Sequence, residues 1–134
     1  MGDKNMEDKR RILIVDDEAD TRTYFRAILS DNGYDVTTAC DGVEGMTKVQ
    51  EQMPDLITLD LSMPEKSGLK FYRELRESAI MGKIPVVMIS GVSADMKEFI
   101  SSRKQVQAPD GYLTKPIDPD EMLKLVAKLL SASA

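Results

Sequence analysis

The chain contains no histidine, which removes imidazole acid/base catalysis, histidine metal ligation and a phosphohistidine of its own from the functions open to it. It has a single cysteine, Cys40, so no internal disulfide can form and nothing demands an oxidising compartment. Cys40 is expected to be a small buried hydrophobe rather than a reactive thiol. Long apolar runs are missing too. Ile12 to Val15 and Ile84 to Ile89 are the longest strongly apolar stretches, far short of the roughly 20 residues that a membrane-spanning helix needs. Met6 stands where a myristoylation signal after Met1-Gly2 wants Ser or Thr, and no signal-peptide core follows. There is no excess of positive charge: 18 Lys and Arg face 23 Asp and Glu, a formal charge of -5. That balance argues against nucleic acid or an anionic membrane as the main partner, since both need a basic face. These absences lead to the expectation of a cytoplasmic protein with neither membrane attachment nor direct DNA contact.

What is present is ordinary for a globular chain. With 134 residues, 42% hydrophobic and 31% charged, one domain burying roughly 68% of its extended surface is expected. Residues Met1 to Arg10 are polar and aperiodic and are expected to form a mobile tail. From Arg11 onward strand and helix patterns alternate. Ile12 to Val15 reads as a strand buried on both faces, and Asp20 to Asn32 as a helix through Tyr24, Phe25, Ile28 and Leu29, with Gly33 as its left-handed cap. Tyr34 to Cys40 is the second strand, and Asp41 to Gln52 a helix with Val43, Met46, Val49 and Met53 on its core face before Pro54 stops it. Leu56 to Leu59 is the third strand, followed by a helix from about Ser67 to Ser78 that buries Leu69, Tyr72 and Leu75. Pro85 to Ile89 gives the fourth strand, with a weaker helix around Met96, Phe99 and Ile100. Gly111 to Thr114 gives the fifth, and Asp118-Pro119-Asp120-Glu121 opens a last helix whose core face is Met122, Val126, Leu129 and Leu130. Five such cycles predict a parallel sheet covered on both faces and joined by right-handed crossovers. Ligands of such folds bind at the carboxyl ends of the strands.

The residues at those ends are Asp16 and Asp17 after the first strand, Asp60 after the third, Ser90 after the fourth and Lys115 after the fifth. Each alone has a dull explanation as a loop or surface residue, but their joint placement does not. Clustered carboxylates raise one another's pKa unless a cation compensates. Mg²⁺, which prefers six oxygens at about 2.0–2.1 Å and keeps several waters, suits such a cluster with one face open to phosphate. One carboxylate could then attack phosphorus while the ion and an ammonium neutralise the transferring group.

Taken in order, Ile12-Leu13-Ile14-Val15-Asp16-Asp17-Glu18, Asp60-Leu61-Ser62-Met63-Pro64 with Gly68, Ser90 after an apolar strand, and Tyr112-Leu113-Thr114-Lys115-Pro116 resemble the receiver domain of two-component response regulators, over about residues 10 to 131. The resemblance implies a flavodoxin-like (βα)5 doubly wound five-stranded parallel sheet of strand order 2-1-3-4-5, occupying residues 11–131. It implies that Asp60 is the phosphoacceptor, taking a phosphoryl group from a partner histidine kinase or histidine phosphotransfer protein. It further implies that Mg²⁺ (or Mn²⁺) is held by Asp17 directly, by Asp16 mainly through a coordinated water, by Asp60 and by the backbone carbonyl of Ser62. Lys115 resembles the lysine that pairs with the phosphoryl oxygens, Ser90 the hydroxyl that swings toward them, and Tyr112 the aromatic switch; Lys115-Pro116 resembles the family's cis peptide bond. The output surface is then the fourth helix, fifth strand and fifth helix, which regulate a downstream protein effector or relay phosphate onward.

Departures from the family pattern carry expectations of their own. Gly45 stands where the family commonly has alanine, at about 0.8–1.0 kcal/mol against the helix, so that helix is expected to be looser. Ser62 and Val92 occupy positions that tune dephosphorylation; Val92 cannot hydrogen-bond an attacking water, so slow self-dephosphorylation is expected. The span from Ser90 to Lys115 is a few residues longer than usual for the family. No second domain fits after Ala134, so the expectation is a stand-alone signalling receiver, or a fragment cut from a larger regulator or hybrid kinase, and not an enzyme with turnover. A Mg²⁺-dependent phosphohydrolase generally uses an Asp-x-Asp pair and a substrate cap, whereas Asp16 and Asp17 are adjacent. A flavin carrier is disfavoured because Asp16-Asp17-Glu18 would repel the phosphate its first loop must cradle.

Overall fold

The computed structural model describes residues 9–63, 67–91 and 108–132, apart from the side chain of Ser67. Their order is β1(Arg11–Val15), α1(Ala19–Asp31), β2(Asp35–Ala39), α2(Gly42–Glu51), β3(Leu56–Asp60), α3(Ser67–Glu77), a 3-10 turn at Met81–Lys83, β4(Val86–Ser90), β5(Gly111–Thr114) and the C-terminal helix α4(Pro119–Ala132). The strands form one parallel sheet in the order β2-β1-β3-β4-β5. The fold class and strand order read from the sequence are therefore those observed. The predicted helix around Met96, Phe99 and Ile100, with Val92 before it, lies outside the described residues, as does the predicted tail up to Asp8. Arg10 is tied to the sheet: its carbonyl accepts from the Asp35 amide at 2.9 Å.

The alternation of side chains along the strands divides the core into two layers. Ile12 and Ile14 of β1 point to the side covered by α1 and α4, where they meet Phe25, Leu29, Met122, Val126 and Leu130. Leu13 and Val15 point to the other side, against Val49 of α2 and Phe71, Tyr72 and Leu75 of α3. Both faces of β1, β3 and β4 are thus filled, which is why these strands read as unbroken apolar runs. Helix α1 ends as expected, with Gly33 at φ 92°, a conformation that costs an L side chain but not glycine.

Four local expectations need correcting. Val43 and Met53 do not join the core; they are 78% and 47% exposed. Helix α2 stops at Glu51, before Met53, and presents Gly42, Gly45 and Val49 to the sheet instead. Gly45 has a packing role that helix propensity does not register. A Cβ there would lie 3.2 Å from the Phe71 ring and 3.3 Å from Val15 Cγ2, so glycine lets α2 seat closely between α3 and β1. Tyr24 belongs to the α1 pattern but faces outward. Cys40 is exposed, not buried, because it follows the last residue of the edge strand β2, where the chain turns into α2. Its thiol is held above the usual range, chiefly by its hydrogen-bonding contact with Glu44.

Candidate functional site

The chain leaves β1 toward the edge strand β2 and returns to β3 on the other side of β1, so a crevice opens where the strand order reverses. Asp16 immediately follows β1 and Asp60 ends β3, which places one carboxylate on each wall. Ligand oxygens of Asp16, Asp17 and Asp60 all lie within 4.8 Å of one another. Asp16 and Asp60 are buried, while Asp17 is open to solvent. On the far side Ser90 ends β4, fully buried, and its carbonyl accepts from the Lys115 amide at 2.8 Å. That bond continues the β4–β5 register by one residue and fixes where the lysine leaves the sheet. The peptide from Lys115 to Pro116 is cis.

The Lys115 ammonium sits among three carboxylates: 3.6 Å from Asp16 Oδ2, 3.7 Å from Asp60 Oδ2 and 3.9 Å from Glu18 Oε1. These are ion-pair distances but too long for good hydrogen bonds. One consequence is that Asp16 Oδ2 is buried without a hydrogen-bond partner among the described residues. Its other oxygen, Oδ1, accepts from the Glu18 amide at 2.9 Å. Burial raises the Asp16 carboxyl from 3.8 to about 6, against the lowering effect of that amide; Asp60 pushes it further up and Lys115 offsets part of the rise. Asp60 Oδ1 is likewise pinned, by the Ser62 amide at 2.9 Å, which leaves Oδ2 facing the lysine.

Such a set fits a hard divalent cation. It combines an orphaned buried carboxylate oxygen, two further carboxylates within reach and an open side at Asp17, and oxygen-only ligands are what Mg²⁺ or Mn²⁺ take. One ammonium cannot neutralise three carboxylates, and a buried carboxylate oxygen without a donor is costly.

Glycine also shapes the site. A Cβ at Gly68 would stand 2.8 Å from the Asp60 carbonyl, a distance that would force the backbone apart. Only glycine lets the first turn of α3 rest against the strand end that carries Asp60. Tyr112 lies on β5, paired in register with Met88 and 36% exposed, apart from the carboxylate cluster. Ser62 is exposed beside Asp60. Val92, which belongs to the same predicted set, lies outside the described residues.

Two residues at this site were given no role from the sequence. Glu18 supplies the amide to Asp16 and a third carboxylate to Lys115. Arg22 Nη1 donates to the Asp16 carbonyl at 2.7 Å. Glu18 is the N-cap of α1 and Arg22 lies four residues on, in its first turn, and this spacing was the available signal.

Residues 12–127 match the response regulator receiver domain family. Over 124 residues the chain is 36% identical to the alkaline phosphatase synthesis transcriptional regulatory protein PhoP of Bacillus subtilis, a match covering 92% of this chain and 50% of that one. It is 37% identical over 128 residues to the phosphate regulon transcriptional regulatory protein PhoB of Klebsiella pneumoniae, covering 93% and 55%. The chain thus spans about half the length of these curated relatives. Among solved structures it resembles a chemotaxis response regulator of Vibrio cholerae (TM-score 0.79, 31% identity, 90% of this chain and 98% of that one). It also resembles the signal receiver domain of a signal transduction histidine kinase from Syntrophus aciditrophicus (TM-score 0.81, 28% identity, 92% and 91%).

Proposed function

This chain belongs to the response regulator receiver domain family, and we propose that it is a signalling switch that accepts a phosphoryl group on Asp60 from a phosphohistidine of a partner kinase or phosphotransfer protein. One observation carries the reading: Asp16, Asp17 and Asp60 converge within 4.8 Å, with the Lys115 ammonium 3.7 Å from Asp60 Oδ2. In the transfer an Asp60 carboxylate oxygen attacks phosphorus, the phosphorus–nitrogen bond breaks with its electron pair returning to the imidazole, and an acyl phosphate remains. Asp16, Asp17, Asp60 and the Ser62 carbonyl would hold Mg²⁺ or Mn²⁺, which when bound neutralises charge on the transferring group. Lys115 stays beside the new phosphoryl oxygens and exchanges a carboxylate partner for them. Ser90, at the end of the adjacent strand, donates its hydroxyl to the same group. The phosphoryl group brings roughly -1.5 to -2 charge, by analogy with phosphoserine, and drawing Ser90 and Lys115 toward it pulls on the strand ends that bear the output surface, including Tyr112. Asp60 is consumed as acceptor, so no turnover is expected beyond self-dephosphorylation, which Val92 keeps slow. The acidic balance of -5 favours a protein rather than DNA as the downstream partner of this domain.

Intact-mass measurement after incubation with Mg²⁺ and acetyl phosphate tests the proposal. One phosphoryl adduct on the wild type is expected, absent without Mg²⁺ and absent in Asp60→Asn. An adduct of equal size on Asp60→Asn would reject Asp60 as acceptor.

A further inference from the structure

Asp16 is fastened through its amide, its carbonyl and one carboxylate oxygen. The Asp16 amide donates to the Ala39 carbonyl of β2 at 3.1 Å. Oδ1 of the Asp16 side chain takes the Glu18 amide at 2.9 Å. The Asp16 carbonyl takes Arg22 Nη1 at 2.7 Å, a charge-assisted bond from a half-buried guanidinium. Only Oδ2 is left without a hydrogen bond, and this is the oxygen that faces Lys115 in the crevice. Of these three fastenings the Arg22 bond alone is made by a side chain reaching in from outside the loop, and it acts on the peptide shared with Asp17.

We infer that Arg22 is a positioning residue for cation binding: it locks the Asp16–Asp17 peptide so that both carboxylates face the crevice. The inference rests on the metal-site reading above and goes beyond it. Helix α1 places Arg22 four residues after Glu18, its own amide bonding the Glu18 carbonyl at 3.0 Å, so the first turn of α1 and the loop brace each other. Removing the guanidinium frees the Asp16 carbonyl to seek water, which lets the peptide rotate and turns Asp17 away from its neighbours.

Charge and positioning predict opposite outcomes here. A guanidinium close to a divalent-ion site repels the ion, so if Arg22 acted only through its charge, removing it would tighten cation binding. If it acts by holding the peptide, its loss weakens binding, by about tenfold on the scale typical of groups that orient metal ligands. Mg²⁺ titration of the wild type, Arg22→Met and Arg22→Lys by calorimetry separates the two, with far-UV circular dichroism as the check on folding. Arg22→Gln substitutes if the Met variant does not fold. Arg22→Met is expected to bind about tenfold more weakly, and Arg22→Lys, which keeps the charge and one donor, to lie between it and the wild type. In the metal-free protein, Arg22→Met should also speed hydrogen exchange at the Glu18 amide, which the fixed Asp16 carboxylate protects. Binding in Arg22→Met equal to or tighter than wild type, or unchanged Glu18 exchange, overturns the assignment. Absence of Mg²⁺ binding in the wild type overturns the metal reading itself, and this inference with it.

Discussion

At the amino ends of β4 and β5, Arg76 makes four hydrogen bonds: to the Gly82 and Ile84 carbonyls at 2.8 and 2.9 Å, to Asp110 Oδ2 at 2.8 Å and to the Tyr72 hydroxyl at 3.0 Å. Asp110 Oδ2 accepts the Val86 amide as well, at 2.9 Å. At the carboxyl ends of β1, β3 and β5 charges also cluster, but Lys115 stands 3.6 to 3.9 Å from its three carboxylates and one buried oxygen of Asp16 has no donor among the described residues. Both clusters carry ionised groups into the fold. At the amino end nearly every polar atom has a partner, so this cluster binds α3, the 3-10 turn and two strands together. The other buries Asp16, which raises its carboxyl to about 6, with the Asp60 charge adding to the rise and Lys115 offsetting part of it, and it leaves room for a cation and a phosphoryl group.

The contrast can be broken most severely from the amino end. Arg76→Met removes the donors to the Gly82 and Ile84 carbonyls and the cation paired with Asp110, and should cost about 3–4 kcal/mol, read as a shift in the urea midpoint at constant m. Phosphorylation of the folded variant at low temperature should remain close to wild type, because no group at the carboxyl end has been touched.

The opposite sign is expected at the carboxyl end. Asp16 has a higher pKa folded than unfolded, so the folded state holds its proton more tightly. Below about pH 4 the group is protonated in both states and carries no penalty; the penalty grows as pH rises toward 6 and is fully present above that. Asp16→Asn in metal-free buffer at pH 8 should therefore be more stable than wild type by on the order of 2–3 kcal/mol, and the gain should vanish near pH 4. Saturating Mg²⁺ should stabilise the wild type more than the variant. A wild type more stable than Asp16→Asn in chelator at pH 8 would show that the cluster is fully compensated by Lys115.

The smallest effect sharpens the comparison from the backbone. Gly68→Ala places a Cβ 2.8 Å from the Asp60 carbonyl, and should cost about 1–2 kcal/mol through overpacking. It should also slow phosphorylation by acetyl phosphate several-fold, since the strand end that aims Asp60 has to shift. A variant with wild-type rate and reduced stability would confine Gly68 to packing.

Much of this could be read along the chain because it depends on local period. The run Ile12-Leu13-Ile14-Val15 and its counterparts at Leu56 and Val86 are buried on both faces, and only a covered parallel sheet accommodates such runs. Once that sheet is granted, Asp16, Asp60, Ser90 and Lys115 must stand at one end of it. The reading failed at Val43, Met53 and Cys40, where helical spacing or residue type suggested burial but the residue lay on the open side, past the end of a helix, or just after an edge strand. At Gly45 it was incomplete: helix propensity sees the missing Cβ as a loss, whereas the ring of Phe71 and the methyl of Val15 occupy the space the Cβ would take.

The sequence by itself determined the strand–helix alternation, the strand order implied by its family motifs and the identity of the charged residues at the strand ends, since each follows from residues near one another in the chain. Only the tertiary structure decided how those charges are compensated. That Arg22 grips the Asp16 carbonyl, that Lys115 is shared among three carboxylates, and that Arg76 rather than a neighbour satisfies Asp110 all depend on segments meeting across the sheet and helix layers. Hydrogen bonds weaken steeply once donor and acceptor part or lose alignment, so their partners are fixed by packing and register rather than by spacing along the chain.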